Sequence, residues 1–337
     1  MNVTCIGLDI AKTIFQVHGV DGRGKATLRK TLKREKVTEF FANLPPCVVG
    51  IEACGSAHHW ARTLGRLGHT VRLMAGQFVA PYRKGSKNDG NDAEAICEAV
   101  GRPTMRFVPT KSEEQQAVLA VHRARSLAVE NRTAQANQIR GLLAEFGLVV
   151  PQGIATLRAQ LPTLLQATGQ TLPPLAREVL EDLSAELRHW DDRIAGYDRR
   201  IAQLAVASEP AQRLMQVAGI GPLTATALVA SVGDAKVFNS GRQFAAWLGM
   251  VPRQHSSGGR FRLGSITKRG DGYLRRLLIH GARSVIATLS RRDDAKSQWA
   301  RALQERSGAN VAAVALAAKH ARIVWAMLTK GEAYQPA

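Results

Sequence analysis

VTCIGLDIAKTIFQVHGVDGRGKATLRKT, residues 3–31, is the stretch whose reading decides the fold. Three runs of β-type composition, 3–10, 14–20 and 26–31, are separated only by Ala11-Lys12-Thr13 and by Asp21-Gly22-Arg23-Gly24. Connections that short are hairpin spacing, so the stretch predicts three antiparallel strands in a meander.

Downstream, strand patterns at 47–51 and 70–74 alternate with helical patterns at 35–43 and 58–67, which makes strands four and five parallel additions through crossover helices. The order βββαβαβα resembles the ribonuclease H-like layout, an α/β fold. From about Ser112 to Ser208 strand signals vanish, and Leu119, Leu127, Ile139, Leu142 and Leu143 recur among polar residues, an all-α middle section. Pro151 and Pro173-Pro174 interrupt it. Between 176 and 204, the apolar positions Val179, Leu183, Leu187, Trp190, Ile194, Tyr197, Ile201 and Leu204 are spaced close to a heptad. Two readings stay open, an antiparallel or intermolecular coiled coil and a single amphipathic helix on its own core. The segment Val217-Ala-Gly-Ile-Gly-Pro-Leu-Thr-Ala-Thr-Ala-Leu resembles a helix-hairpin-helix, whose backbone N–H groups would face a phosphate, or else a helix-packing turn. The expected division is 1–110 catalytic, 111–208 helical and dimerising, 209–301 C-terminal and mostly helical, and 302–337 a helical tail with a helix over 311–328.

Two strands end in acids: Asp9 closes the first and Glu52 the fourth. Strand one is central with strand four beside it, so the two should converge. In Lys87-Asn-Asp-Gly-Asn-Asp-Ala-Glu, Asp89 and Asp92 are three apart and share a face if a helix starts near Asp89, with Glu94 one step off as a spare candidate. Four carboxylates are hard oxygen ligands, suited to two Mg²⁺ ions about 3.5–4 Å apart that polarise a phosphodiester. The plain alternative makes Asp89 an N-cap and Asp92 a first-turn acid. Asp9 and Glu52 are harder to dismiss, because an acid ending a buried strand is costly without a partner.

Composition of 45% apolar and 22% charged residues excludes wholesale disorder, and a formal charge of +19 favours a polyanionic partner, nucleic acid first. The run 311–318 is too short to span a membrane, and no signal-peptide pattern opens the chain, so a cytoplasmic location and no membrane partner are expected. Cys5, Cys47, Cys54 and Cys97 have no metal-ligand spacing and read as reduced. From Arg253 to Arg301 there are 12 Lys or Arg against 3 Asp. A phosphate backbone is expected along Arg253, His255, Arg260, Arg262, Lys268, Arg269, Arg275 and Arg276. Ser256 and Ser257, before Gly258-Gly259, read by residue type as turn-formers, although cations and His255 nearby would suit a nucleophile.

These motifs together, GLDIAKTIFQVHGVD, VGIEACGSAHHWAR, KNDGNDAEAI, GIGPLTATAL and FAAWLGMVPRQHSSGGRFRLGSITKRGDGYLRRLLIHGAR, resemble the insertion-sequence 110 family of transposases, subgroup PRQHSSGG. The resemblance implies a RuvC-like N-terminal domain with a DEDD tetrad at Asp9, Glu52, Asp89 and Asp92, and Mg²⁺ as cofactor. It further implies a C-terminal transposase domain whose serine falls on Ser257, with Ser256 the adjacent ambiguity. Ser257 would form a covalent phosphoserine link to DNA in a composite site. Donor and target DNA would be chosen by a structured bridge RNA, and the protein would form a homodimer, with tetramers on DNA. Three rival readings differ in what they require. An actin- or sugar-kinase-type ATPase shares a GLDIAKT-like loop but lacks the second phosphate loop. A RuvC-like junction endonuclease would hydrolyse DNA with the acids alone. A non-enzymatic binder leaves the carboxylates unexplained.

Overall fold

A computed structural model describes residues 2–86, 88–167, 172–291 and 294–335. The chain divides into two compact units, 1–113 and 114–337. Lys87, which opens the KNDGNDAE motif, lies outside the described residues.

The first unit contains β1 (Cys5–Ile10), β2 (Ile14–Val20), β3 (Ala26–Lys33), α1 (Val37–Ala42), β4 (Val48–Glu52), α2 (Ala57–Arg66), β5 (Thr70–Met74), α3 (Gly76–Val79), α4 (Asp89–Val100) and β6 (Phe107–Val108). The sheet order is β3-β2-β1-β4-β5-β6, with β1 antiparallel to β2 and parallel to β4, and β4 parallel to β5. The expected meander and parallel additions are present, and the mixed sheet is consistent with a ribonuclease H-like domain. Strand β6, antiparallel to β5, was not anticipated, since two residues carry no readable period.

Alternation explains the layers. Ile6, Leu8, Val49 and Ile51 point to one side and are fully buried with Phe15, Phe41, Trp60 and Leu64, under α1 and α2. The opposite side carries Gly7 and Gly50, and α4 lies there. Gly50 has no room for a side chain, because a Cβ would sit 2.8 Å from the Cβ of Val100.

The second unit contains α5 (Glu113–Glu145, whose first residue closes the first unit), α6 (Ile154–Ala167), α7 (Pro174–Ala207), α8 (Glu209–Met215), α9 (Pro222–Val232), α10 (Gly241–Trp247), β7 (Pro252–Gln254), β8 (Leu263–Ile266), α11 (Gly272–Ile286), α12 (Ala295–Ser307) and α13 (Ala309–Lys330). Helices α5 and α7 run antiparallel. Gln135 donates to the Leu183 carbonyl at 2.9 Å and accepts from the Trp190 indole at 2.9 Å, and Arg132 meets Asp191 at 3.2 Å.

The heptad is real, but its register corrects the sequence reading. Leu180, Ser184, Leu187, Ile194, Ile201 and Ala205 are buried, while Val179 is 42% exposed and Leu183, Trp190, Tyr197 and Leu204 are half-buried. The seam takes polar groups because α5 presents Arg125, Arg132 and Gln135, and hydropathy alone does not see them.

Helix α13 corrects the reading of a short apolar run, being long and apolar enough by composition to cross a membrane. Its Ala312, Leu316, Ala317, Ala321 and Val324 are fully buried and pack against α10, α11 and α12 in the core of this unit. The expected border at 301/302 falls inside α12.

Candidate active site

Asp9, next to last in β1, follows Gly7 by two residues, and Glu52 ends β4 two residues after Gly50, so each acid shares its glycine's face. The ladder pairs Gly7 with Gly50 and Leu8 with Ile51, which places Asp9 and Glu52 at the same rim of neighbouring strands. A Cβ on Gly7 would lie 2.1 Å from the carbonyl oxygen of Ala93, so the α4 backbone rests directly on the strand. Asn88 starts that helix, accepting from the backbone N–H of Asn91 at 2.8 Å, which leaves Asp89 and Asp92 in the first turn. Asn88, not Asp89, is therefore the cap.

The carboxylates share one electrostatic field. Burial first, then the charges of Asp89, Asp92 and Glu52, push the Asp9 carboxyl up to about 6. Burial followed by Glu52 and Asp9 also raises the Cys54 thiol. Asp92 meets Arg83 at 3.2 Å, and among the described residues this is the ion pair the tetrad makes. Glu52 lies against the backbone of Gly76, where a Cβ would be 2.5 Å from its Oε1. Glu94 points elsewhere, to Arg29 at 3.5 Å and Lys84 at 3.9 Å, and is no member of the group.

Among the described residues no three His, Cys, Asp or Glu side chains are drawn into a finished metal cage. The donor set nevertheless fits a divalent cation. Four hard oxygen donors accumulate charge with a single neighbouring guanidinium, and the raised Asp9 carboxyl marks negative charge that a cation would relieve.

The Gly-Ser stretch of the second unit is a β-hairpin, not the loop expected from composition. Strands β7 and β8 pair antiparallel, His255 N–H donates to the Arg262 carbonyl at 2.9 Å, and Arg260 N–H donates to the Ser257 carbonyl at 3.0 Å. Gly258 and Gly259 take φ of +55° and +73°, the two left-handed positions of a tight hairpin turn. Both serines are exposed. The Ser256 hydroxyl is engaged, accepting from Gln254 Nε2 at 3.0 Å and Arg262 N–H at 3.4 Å, whereas that of Ser257 bonds to no described residue.

Arg253, His255, Arg260, Arg262, Lys268 and Arg269 are exposed on and beside this hairpin, and Arg276 is exposed on α11. Arg275 is half-buried and spent on structure, donating to the Leu248 carbonyl at 3.0 Å. The Gly-Ile-Gly turn between α8 and α9 serves helix packing, since a Cβ on Gly219 would lie 2.6 Å from the Gly281 carbonyl oxygen. Sequence reasoning missed His122 of α5, fully buried, whose Nε2 lies 3.0 Å from the Thr226 hydroxyl and Nδ1 2.9 Å from that of Tyr273. It also missed Gly7 and Gly50, although a glycine two residues before each strand-ending acid was a visible signal.

Comparison with known proteins shows the family. Residues 6–147 match a family model described as a transposase, the DEDD transposase of IS110 elements, and residues 211–299 match the transposase model of the IS116/IS110/IS902 family. A probable family 20 transposase of Pseudomonas aeruginosa is 55% identical over the full length of both chains. The transposase of insertion sequence element IS1111A from Coxiella burnetii is 44% identical, covering 99% of this chain and 92% of its own. That of IS1328 from Yersinia enterocolitica is 41% identical over 99% of each. The chain belongs to the IS110 family of insertion-sequence transposases, enzymes that cleave and rejoin DNA. Membership of a DEDD family implies dependence on a divalent metal.

Proposed function

We propose that Asp9, Glu52, Asp89 and Asp92 are the catalytic acids of a RuvC-like domain and hold Mg²⁺, and that Ser257 is the nucleophile toward DNA. The observation that carries the first half is the placement of Asp9 and Glu52 at one rim of paired strands, with Asp89 and Asp92 in the first turn of the helix packed on that face. When bound, the metal supplies Lewis-acid polarisation of the phosphodiester and charge neutralisation at the reacting oxygens. The chain's own acids bind and orient.

The Ser257 hydroxyl, free of protein partners on a hairpin tip, loses its proton to solvent as its oxygen bonds to phosphorus. The phosphorus–oxygen bond to the leaving strand breaks, that oxygen gains a proton, and a phosphoserine link remains. Attack by another strand's hydroxyl reverses the step, so strands are exchanged without hydrolysis. Exposed Arg253, His255, Arg260, Arg262, Lys268, Arg269 and Arg276 bind phosphate backbone, with half-buried Arg275 supporting them from α11. The exposed cations of the hairpin favour it as the site for this.

Selection of donor and target by a structured guide RNA belongs to the same reading. Homodimers, and tetramers on DNA, are favoured by the half-exposed stripe of Val179, Leu183, Trp190 and Tyr197 on α7, and the enzyme works in the cytoplasm, where its DNA is. Ser257→Ala tests the central claim. It should remove the covalent protein–DNA adduct and lower cleavage by at least about a thousandfold, while Ser256→Ala retains the adduct. Cleavage kept in Ser257→Ala would instead establish a RuvC-like junction endonuclease. Arg260→Ala or Lys268→Ala should each lower the salt slope of nucleic-acid binding by about one.

A further inference from the structure

Helix α4 lies across β1, β4 and β2, while β3 remains exposed along most of its length. Between the first turns of the helix and the β2–β3 hairpin this leaves a recess of about 280 Å³. Its floor is Gln16 and His18, and its walls are Arg29, Thr31, Asn91 and Glu94. Gln16 stands opposite Asp9 in the β1–β2 ladder, and Asn91 lies between Asp89 and Asp92, so the recess opens on the flank of the acids.

Its chemistry points to an occupant. His18 is only 6% exposed, yet no described residue hydrogen-bonds its ring, and burial keeps the imidazole neutral by lowering its affinity for a proton. The Gln16 carbonyl accepts from the Thr31 hydroxyl at 2.8 Å, which turns the amide NH₂ toward a ligand. At the rim, Arg29 and Lys84 share the single carboxylate of Glu94 at 3.5 and 3.9 Å, leaving an excess of positive charge. Neutral donors below and cations above suit a hydrophilic anion, and Glu94 is too weakly paired to fill the space. The ring, lining the recess without a protein partner, is open to a group that enters it.

We propose that this recess seats the sugar-phosphate unit adjacent to the scissile phosphate on the cleaved DNA strand, with Gln16 and His18 donating to its oxygens and Arg29 and Lys84 offsetting its charge. The inference rests on reading the four acids as the cleavage site. It makes Gln16, His18 and Arg29 binding residues of the first unit and sets the direction in which the strand crosses the sheet.

The test uses full-length enzyme and cleavable DNA in which single phosphates flanking the cleaved one are replaced, in turn, by neutral methylphosphonates. One flanking position should cost about tenfold in kcat/KM. Arg29→Ala and Gln16→Ala should each cost about tenfold on natural DNA and nothing further on that one modified substrate. His18→Gln, which keeps a donor, should lose less than His18→Ala. Additive losses at every position, or coupling to guide-RNA phosphates instead, would overturn the proposal. Asp9→Asn separates the two claims. If it still cuts DNA the acid site itself falls. If it is inactive and no phosphate couples to the recess, this inference falls alone.

Discussion

The backbone of Gly7 touches the Ala93 carbonyl so closely that a methyl group would be 2.1 Å from its oxygen. Strand and helix are held at a separation only glycine permits, and that separation decides where Asp89 and Asp92 stand relative to Asp9.

Gly7→Ala should therefore disable the enzyme without touching a carboxylate. Overpacking of this kind costs about 1–3 kcal/mol, and cleavage should fall by at least tenfold as α4 shifts. Gly65→Ala, inside α2 with nothing within 4 Å, is the control and should be neutral or stabilising by up to about 1 kcal/mol. Chemical denaturation and a cleavage assay on both variants check this. Equal activity of the two would remove the role given to the contact.

The metal-free protein should gain stability from Asp9→Asn. Because the folded-state value is raised to about 6, the favourable contribution of the protonated carboxyl is lost as pH climbs through 6, and the ionised form works against folding. The variant's advantage should be small below the ordinary carboxyl value of 3.8, grow as pH rises from there through about 6, and level off at about 1–2 kcal/mol by pH 8, after allowance for solvent screening. Thermal melts in chelator across that range measure it, and cleavage by the same variant should be abolished.

Acid should weaken the second unit through two buried histidines. Burial, with Arg125 adding to it, holds His122 down to about 4, and burial with Lys296 and Lys319 holds His320 to about 3. Both are neutral when folded, so their contribution is intact above pH 6.5 and is lost as pH falls toward 4. His320 is fully buried with neither ring nitrogen bonded to a described residue. His320→Leu should raise stability by about 1–3 kcal/mol at neutral pH and flatten the acid limb. A variant that melts lower at every pH would contradict this.

At the hairpin tip, Gly258 stands at φ +55°, which asparagine tolerates and valine does not. Gly258→Asn should keep most of the activity. Gly258→Val should lose tenfold or more while the melting temperature stays within about 1 °C, because the tip is exposed and supports no core. Paired melts and adduct formation distinguish the two.

The fold was legible where periodicity was strong. The meander and both parallel strands lie as the alternation at 3–31, 47–51 and 70–74 requires, while β6 and the β7–β8 hairpin were hidden by their shortness and by the glycines between them. The acids at the strand ends could be located because an ionised group closing a buried strand needs a reason. In the α7 seam Leu187, Ile194 and Ile201 were legible, while Val179, Leu183 and Leu204 stand one step from the buried Leu180, Ser184 and Ala205, and Asp191 meets α5 through charge, which a hydropathy pattern scores as solvent. His122 left no sequence signal, as its partners Thr226 and Tyr273 are far away along the chain.

The two glycines beneath α4 also make the gene easy to silence. Any single-base change in a glycine codon that alters the amino acid adds at least one carbon beyond Cα, or ends translation. At position 7 or 50 there is no space to receive it. A copy with a substituted glycine would still be translated full length, stay basic and bind DNA, and so compete with active copies for the same ends while moving nothing.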